Sequence, residues 1–275
     1  MSRDRPVGGG GPMATGYQVL AWDASSVRVG RLLAGWLELT AVGGGLRLDD
    51  IRNCSAARGR TWGAATGVER TDRRHALWRF DLHGDDAQAL LHADYLLHNA
   101  VDPSGRAICY TAPPWTTRGD MSLHVLDLEG RESTLTVDGS VSRACIPSWR
   151  APGRVLYHTE GNEVVEVDLA TGRTHGLFAG EHPTASPDGR RIAYRDGNVI
   201  LVTGDGEDPV DASPRRGLGE GSLRGGMSWS PDGRYLLFGH TGGVLGYEME
   251  FSALEVATGE RTKVRQRYLQ GIRFL

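Results

Sequence analysis

The stretch SWSPDGRYLLF, residues Ser228 to Phe238, decides the fold. Its two β-prone ends flank Ser230-Pro231-Asp232-Gly233, in which Pro supplies the φ of about −65° that a type I or II turn needs. Asp and Gly follow, where positive φ is tolerated. The stretch therefore predicts a strand, a tight turn and a second strand. A close copy, TASPDGRRIAY, runs from Thr184 to Tyr194.

The Gly-Arg pair that ends this turn recurs along the chain. Weaker copies occur upstream, and the five turn glycines are Gly59, Gly105, Gly153, Gly189 and Gly233. The intervals between them are 46, 48, 36 and 44 residues. A period near 40 to 45 residues with strand-turn-strand content is typical of a four-stranded propeller blade.

A second marker, an apolar-acidic-apolar triplet, recurs between the turns and predicts the end of the third strand. Its five full copies and one degraded copy are Leu37-Glu38-Leu39, Phe80-Asp81-Leu82, Leu126-Asp127-Leu128, Val167-Asp168-Leu169, Leu254-Glu255-Val256 and Val202-Thr203-Gly204. There are six markers but only five turns, so the N-terminal unit lacks its own inner strand and turn. We expect YLQGIRFL, Tyr268 to Leu275, to supply it, because a ring that is not closed leaves unpaired strand edges.

The predicted fold class is therefore all-β: a six-bladed β-propeller of four-stranded antiparallel blades, closed by the C-terminal strand joining the N-terminal blade. Residues 1–16 are expected to be a flexible tail and 17–275 one domain. The expected blades are 17–49 with 268–275, 50–93, 94–139, 140–180, 181–222 and 223–267. In blade one we expect the second strand at 17–23, a loop through Val29 and Leu33, the third strand at 36–41 and the outer strand at 46–49.

From about Tyr17 onward the chain resembles the TolB-like six-bladed propellers, whose blades carry the WD40-like PD40 repeat with the motif SPDGR. The resemblance is strong at 186–190 and 230–234, weaker at 102–106 and poor at 56–60, where Pro and Asp are lost. Members of that group mostly bind other proteins or act as the lid of a two-domain enzyme. The SPDGR turn itself is interpreted as a hairpin, not as a site.

Composition narrows the classes of partner. A net charge of −3 gives no general field for nucleic acid, and no apolar run approaches the ~20 residues of a membrane helix. Lys263 is the only lysine, which we attribute to a bacterial, high-GC genome. Residues 1–16 lack the apolar core of a secretory signal, so we expect a cytoplasmic protein, unlike TolB itself, which is exported.

Motifs for catalysis or metal binding are missing. The sequence contains no GxSxG elbow, HExxH or P-loop and no CxxC or Cys/His metal spacing. Cys54, Cys109 and Cys145 are interpreted as small buried thiols. We therefore expect no cofactor and no metal. Trp149 and Trp229, which share one repeat position, are interpreted as packing residues between blades.

The candidate site follows from position in the repeat. Because the inner strand runs toward its turn and the second strand runs back, the loops between blades and the second-to-third-strand loops share one end of the ring, here called the mouth. The Gly-Arg turns occupy the other end, here called the Gly-Arg rim. The seventh residues before the turn glycines are Arg52, His98, Ile146, His182 and Gly226, with Asp50, Glu181 and Arg224 one to two residues earlier.

Two functions remain open. The first is a binding or scaffold module that holds a protein or peptide at the mouth, where Arg52, His98, Trp115, His182 and Arg224 would contact the ligand. The second is a stand-alone enzyme acting on a small molecule, with acid-base candidates His98, His182, Glu181 and Asp50. We expect a monomer in either case.

The outer strand of the last blade carries alternating basic residues. Arg261, Lys263, Arg265 and Arg267 share one face. They are interpreted as protection of an exposed strand edge against pairing with another chain. The alternative is docking to an acidic partner.

Overall fold

The fold is all-β, with six sheets of four antiparallel strands arranged as a six-bladed propeller, as the repeat predicts. The computed structural model describes residues 16–57, 59–113, 121–128, 132–135, 141–213, 223–242, 248–265 and 269–275. Within these ranges no helix forms. The described residues therefore contain no helix that could cross a membrane.

The strands of the first three blades are given from the channel outward. Blade one contains β24 (Gly271–Phe274), β1 (Tyr17–Trp22), β2 (Val27–Leu33) and β3 (Trp36–Val42). Blade two contains β4 (Asn53–Ala56), β5 (Trp62–Val68), β6 (His75–Asp81) and β7 (Ala87–Ala93). Blade three contains β8 (Asn99–Val101), β9 (Ala107–Ala112), β10 (Ser122–Asp127) and β11 (Glu132–Leu135).

The other three blades follow in chain order. Blade four contains β12 (Ser148–Ala151), β13 (Arg154–His158), β14 (Glu163–Asp168) and β15 (Thr174–Ala179). Blade five contains β16 (Glu181–Ala185), β17 (Arg191–Asp196), β18 (Val199–Gly204) and β19 (Val210–Asp211). Blade six contains β20 (Leu223–Trp229), β21 (Tyr235–Gly242), β22 (Glu248–Glu255) and β23 (Glu260–Val264).

The C-terminal strand closes the ring, which confirms the expectation. β24 pairs with β1, with Val19 opposite Phe274 and Trp22 opposite Gly271. A hydrophobic cluster then joins Val19 and Phe274 of blade one to Tyr235 and other residues of blade six. The first and last blades are thus held by a shared sheet and a shared core.

The SPDG turn has the structure that its residues predict. Gly233 N donates to Ser230 O at 2.9 Å, which closes the turn. The Ser230 hydroxyl donates to Asp232 at 2.6 Å and accepts from Tyr235 N at 2.8 Å. All five turn glycines adopt positive φ, between 63° and 76°. The motif is therefore a structural turn, because its polar groups satisfy one another.

The predicted strands of blade one were wrong from the third strand onward. Residues 27–33, expected as a loop, form β2, and residues 36–42 form the outer strand rather than the third. The marker Leu37-Glu38-Leu39 therefore lies in β3. Gly30 suggested a loop, but a Cβ there would lie 1.7 Å from the Glu38 carbonyl oxygen. This glycine is required by the close approach of two paired strands.

Side chains tie neighbouring inner strands together, because these strands belong to different sheets. The indole nitrogens of Trp149 and Trp229 donate to backbone carbonyls of the preceding blade, at 2.9 and 3.0 Å. Both rings are buried, which confirms that they are packing residues. Serine hydroxyls accept backbone N–H groups of the next inner strand in three places: Ser55 from Val101, Ser148 from Ala185 and Ser228 from Phe274.

Candidate functional site in the channel and at its mouth

A cavity of about 180 Å³ lies among the six inner strands, on the axis of the ring. Every blade contributes to its wall, for example through Ser55, Ala100, Ser148, His182, Ser228 and Arg273. At about 30 Å³ per water molecule, the cavity holds roughly six waters. It is smaller than the roughly 300–1,000 Å³ of a drug-sized ligand pocket. The channel therefore suits a small group, or the end of a chain.

Three histidines cluster at the mouth end of this channel. His98 precedes β8, His158 ends β13 and His182 lies in β16. His182 N donates to His158 Nδ1 at 3.3 Å, and the two ring centroids are 4.9 Å apart. His98 is close enough that a positive charge on it would lower the pKa of His182. The ring thus brings together two predicted residues from blades three and five.

Burial keeps these histidines neutral. It lowers the pKa of His98 to about 3, with a further contribution from the positive charge of Arg273. Burial likewise lowers the pKa of His158 to about 4 and that of His182 well below its usual value. The Nδ1 atoms of His98 and His182 are buried, and no described residue is a hydrogen-bond partner for either. Neutral imidazoles with unused nitrogens are thus available in the channel.

Arg273 of β24 is the main charge in the channel, and the sequence analysis did not identify it. It lines the cavity beside Cys54 and Cys109. Burial lowers its pKa to about 10, so the guanidinium is still charged at neutral pH. Its guanidinium forms no hydrogen bond or ion pair with any residue that the structure describes. The only local signal was a charged residue between apolar Ile272 and Phe274 in the closing strand.

A second group lies at the mouth itself, on the connections between successive blades from blade one to blade four. Arg52 forms an ion pair with Asp50 at 3.1 Å, and its guanidinium lies 5.5 Å from the centre of the Tyr95 ring. The guanidinium of Arg143 lies 5.9 Å from the same ring. These three residues, Arg52, Tyr95 and Arg143, are called the mouth stack below. Sequence analysis missed Tyr95 and Arg143, which have no fixed place in the repeat.

The remaining predicted site residues are placed as follows. Glu181 forms an ion pair with Arg195 and raises the pKa of His158 toward its usual value. Arg224, in β20, is exposed. Trp115 lies outside the described residues. Among the described residues, no group of three or more His, Cys, Asp or Glu side chains could hold a metal ion.

The Gly-Arg rim is used to hold blades together. Arg150 donates to Gly189 O at 3.0 Å, and Arg191 donates to Gly233 O at 2.8 Å. Arg60 reaches the Ser104 carbonyl of blade three in the same way. Each of these arginines crosses to the turn of the next blade. Their hydrogen-bonding groups are therefore engaged within the ring.

These features define a closed six-bladed β-propeller with a polar channel. A scan against models of known protein families finds no match, and neither does a search of curated proteins. Solved structures do match: TolB from Acinetobacter baumannii superposes with a TM-score of 0.73 at 12% identity. That match covers 94% of this chain, which spans 66% of the TolB chain. The fold is therefore that of the TolB-like six-bladed propellers.

The same fold occurs in other settings. A chain in the crystal structure of a nidogen/laminin complex matches with a TM-score of 0.68 at 12% identity, over 94% of this chain and 98% of that one. A chain of Kuenenia stuttgartiensis hydrazine synthase matches with a TM-score of 0.54 at 12% identity, over 93% and 80%. At such identities the likeness defines the fold and leaves the function to be argued from the site.

Proposed function

We propose that the protein is a cytoplasmic binding or scaffold module that holds a protein or peptide partner at the mouth of the ring. The observation that carries this proposal is the mouth stack. Two guanidinium groups lie within 6 Å of the centre of its aromatic ring, at 5.5 and 5.9 Å, and all three side chains are at least partly open to solvent. Tyr and Arg are the residue types that most often anchor protein interfaces.

The contrast between the two ends of the ring supports the mouth as the binding face. At the Gly-Arg rim, arginines hydrogen-bond to the turn of the next blade, as described above. At the mouth, Arg143 has no ion-pair partner among the described residues and Arg52 has one carboxylate. The mouth stack therefore carries uncompensated positive charge, which favours a partner segment that carries carboxylates.

The comparisons and the cysteines agree with this proposal. A propeller of this fold forms part of the nidogen/laminin complex. All three cysteines of the chain are free and buried. Unpaired thiols are usual in a reducing compartment, which supports a cytoplasmic location.

The carboxylates proposed for acid-base chemistry favour binding over catalysis. Asp50 and Glu181 are each engaged by an arginine. A general base must reach the proton that it removes, and oxygen atoms of both carboxylates already accept hydrogen bonds from guanidinium groups. The enzyme alternative would therefore rest on the histidines alone.

Peptide selection with matched variants tests the proposal. A random peptide library is panned against the immobilised full chain, and the dissociation constants of selected peptides are measured by fluorescence polarisation. Arg52→Ala and Trp115→Ala should each weaken binding by about tenfold or more, as expected for interface anchors. Arg190→Ala, at an exposed position on the Gly-Arg rim, should leave it unchanged. Loss of binding in the rim variant alone, with all variants equally stable, would contradict the proposed face.

A further inference from the structure

We propose that the central cavity is a binding site for a small oxyanion, a carboxylate or a phosphate, held by Arg273 and completed by His182. This site is separate from the mouth stack and does not depend on the proposed partner. Its wall is rich in hydrogen-bond donors. Among the described residues, no aspartate or glutamate lines it.

The first argument is the unbalanced charge. A half-buried arginine in a channel commonly hydrogen-bonds to a carboxylate or to carbonyl groups, which use its donors and balance its charge. Arg273 is half-buried and lines the cavity. Arg273 has neither among the described residues, and it keeps its charge at neutral pH. Arg150, the other arginine on the cavity wall, shows the usual arrangement, because it pairs with Glu166 and Asp205. An anion in the cavity would give Arg273 the partner that it lacks.

The second argument is the backbone at His182. This residue has a φ of 50°, in the left-handed region that β-carbon sterics disfavour. Blade six places Gly225, with a φ of 64°, at the corresponding register shift within its inner strand β20. A strained histidine where glycine would serve is typical of a position kept for its side chain. The imidazole of His182 lines the cavity, and its buried Nδ1 has no hydrogen-bond partner within the described ranges.

The third argument is the remaining donors. The hydroxyls of Ser148 and Ser228 line the cavity and accept backbone N–H groups at 3.2 and 2.9 Å. An accepting hydroxyl still has its own proton to donate. Within the described part of the chain, no acceptor is found for the hydroxyl proton of either serine. The cavity thus offers a guanidinium, an imidazole and two hydroxyls as donors to oxyanion oxygens, in a space of about 180 Å³ that admits one oxyanion with part of its hydration water.

Calorimetric titration of the full chain tests the site and identifies the source of the anion. N-acetylglycine represents the terminal carboxylate of a peptide, and inorganic phosphate represents a phosphate group. N-acetylglycinamide and chloride at matched ionic strength are the controls. We expect saturable binding, with one site per chain, of at least one of the two oxyanions and of neither control. No saturable binding of either oxyanion to the folded protein would overturn the proposal.

Variants connect the binding to the named residues. Arg273→Met should weaken it by about tenfold or more, as expected when a charged hydrogen-bond donor is removed. His182→Gly should also weaken it, in a protein that still folds because glycine adopts positive φ without strain. Arg190→Met, an exposed arginine on the Gly-Arg rim, is the matched control and should bind as the parent does. Unchanged affinity in Arg273→Met and His182→Gly would overturn the assignment.

A crystal soak with selenate covers the case in which Arg273→Met does not fold. We expect the anomalous signal of selenium within hydrogen-bonding distance of Arg273. A signal only at other positions would overturn the proposal.

Discussion

At the residue scale, the three histidines of the channel are all neutral, because their surroundings disfavour the charged imidazolium. Burial lowers the pKa of His98 to about 3 and that of His158 to about 4, and it lowers that of His182 well below its usual value. In the unfolded chain these groups titrate near about 6.5. Between about pH 6.5 and 4, protons therefore bind the unfolded chain in preference to the folded one.

Acidification should for this reason destabilise the protein before its carboxylates titrate. The free energy of unfolding should fall by about 1.4 kcal/mol per pH unit for each of the three histidines below about pH 6.5. Denaturant melts at pH 7.5 and 5.0 measure this fall. His98→Gln should reduce it, and His175→Gln, at an exposed position on β15, should not. Equal stability at the two pH values would contradict the neutral, buried state.

The sequence predicted individual site residues only in part. His98 and His182 followed from their position in the repeat, because each precedes or begins an inner strand. His158 and Arg273 did not, because they reach the channel from the end of a second strand and from the closing strand. Their proximity depends on ring closure, which joins residues far apart in the chain. No local sequence pattern predicts such a contact.

At the scale of strands, five of the six blades follow the repeat because their turn glycines and third-strand markers coincide with real strand ends. Blade one departs from it, since Gly30 and the turn at Ala34 and Gly35 resemble a loop in sequence. Both turn residues have positive φ, 48° and 84°, which makes a tight hairpin. A glycine demanded by a close backbone approach cannot be distinguished from a loop glycine in one sequence.

The outer strand β23 presents the edge that its basic residues were predicted to protect. It is the last strand of its sheet and pairs with β22 alone. Arg261, Lys263 and Arg265 are exposed on alternate positions, and Arg267 lies outside the described residues. The double variant Arg261→Val/Lys263→Val should therefore self-associate, as measured by light scattering after gel filtration. Arg173→Val, at an exposed turn position, is the control and should behave as the parent does. A monodisperse double variant of unchanged mass would contradict edge protection.

At the scale of the whole molecule, ring closure depends on the last five residues. Residues 271–275 supply the inner strand of blade one and pack against blades two and six. Their removal should leave β1 without a partner on one side and expose the blade interfaces to water. Closed rings unfold cooperatively because every blade has two neighbours, and an opened ring loses this property.

The rate at which the cysteine thiols are alkylated measures directly whether the ring has opened. Cys54, Cys109 and Cys145 are buried in the closed ring, and burial raises the pKa of Cys145 to about 12. The full chain should therefore resist alkylation at pH 8, because the thiolate is the reactive form. A chain ending at Gln270 should lose its sharp melt and react quickly at Cys54, which lies near the removed Arg273. Equal melting and equal alkylation rates would show that the closing strand is dispensable.

The central claim, that a partner binds at the mouth, is tested most directly by hydrogen exchange of the full chain with and without a selected peptide. The peptide should slow exchange in residues 47–52, 94–98 and 143–147, where Arg52, Tyr95 and Arg143 lie. The turns at 102–106, 186–190 and 230–234 should exchange as in the free protein. Protection confined to those turns, with none at the mouth, would contradict the account.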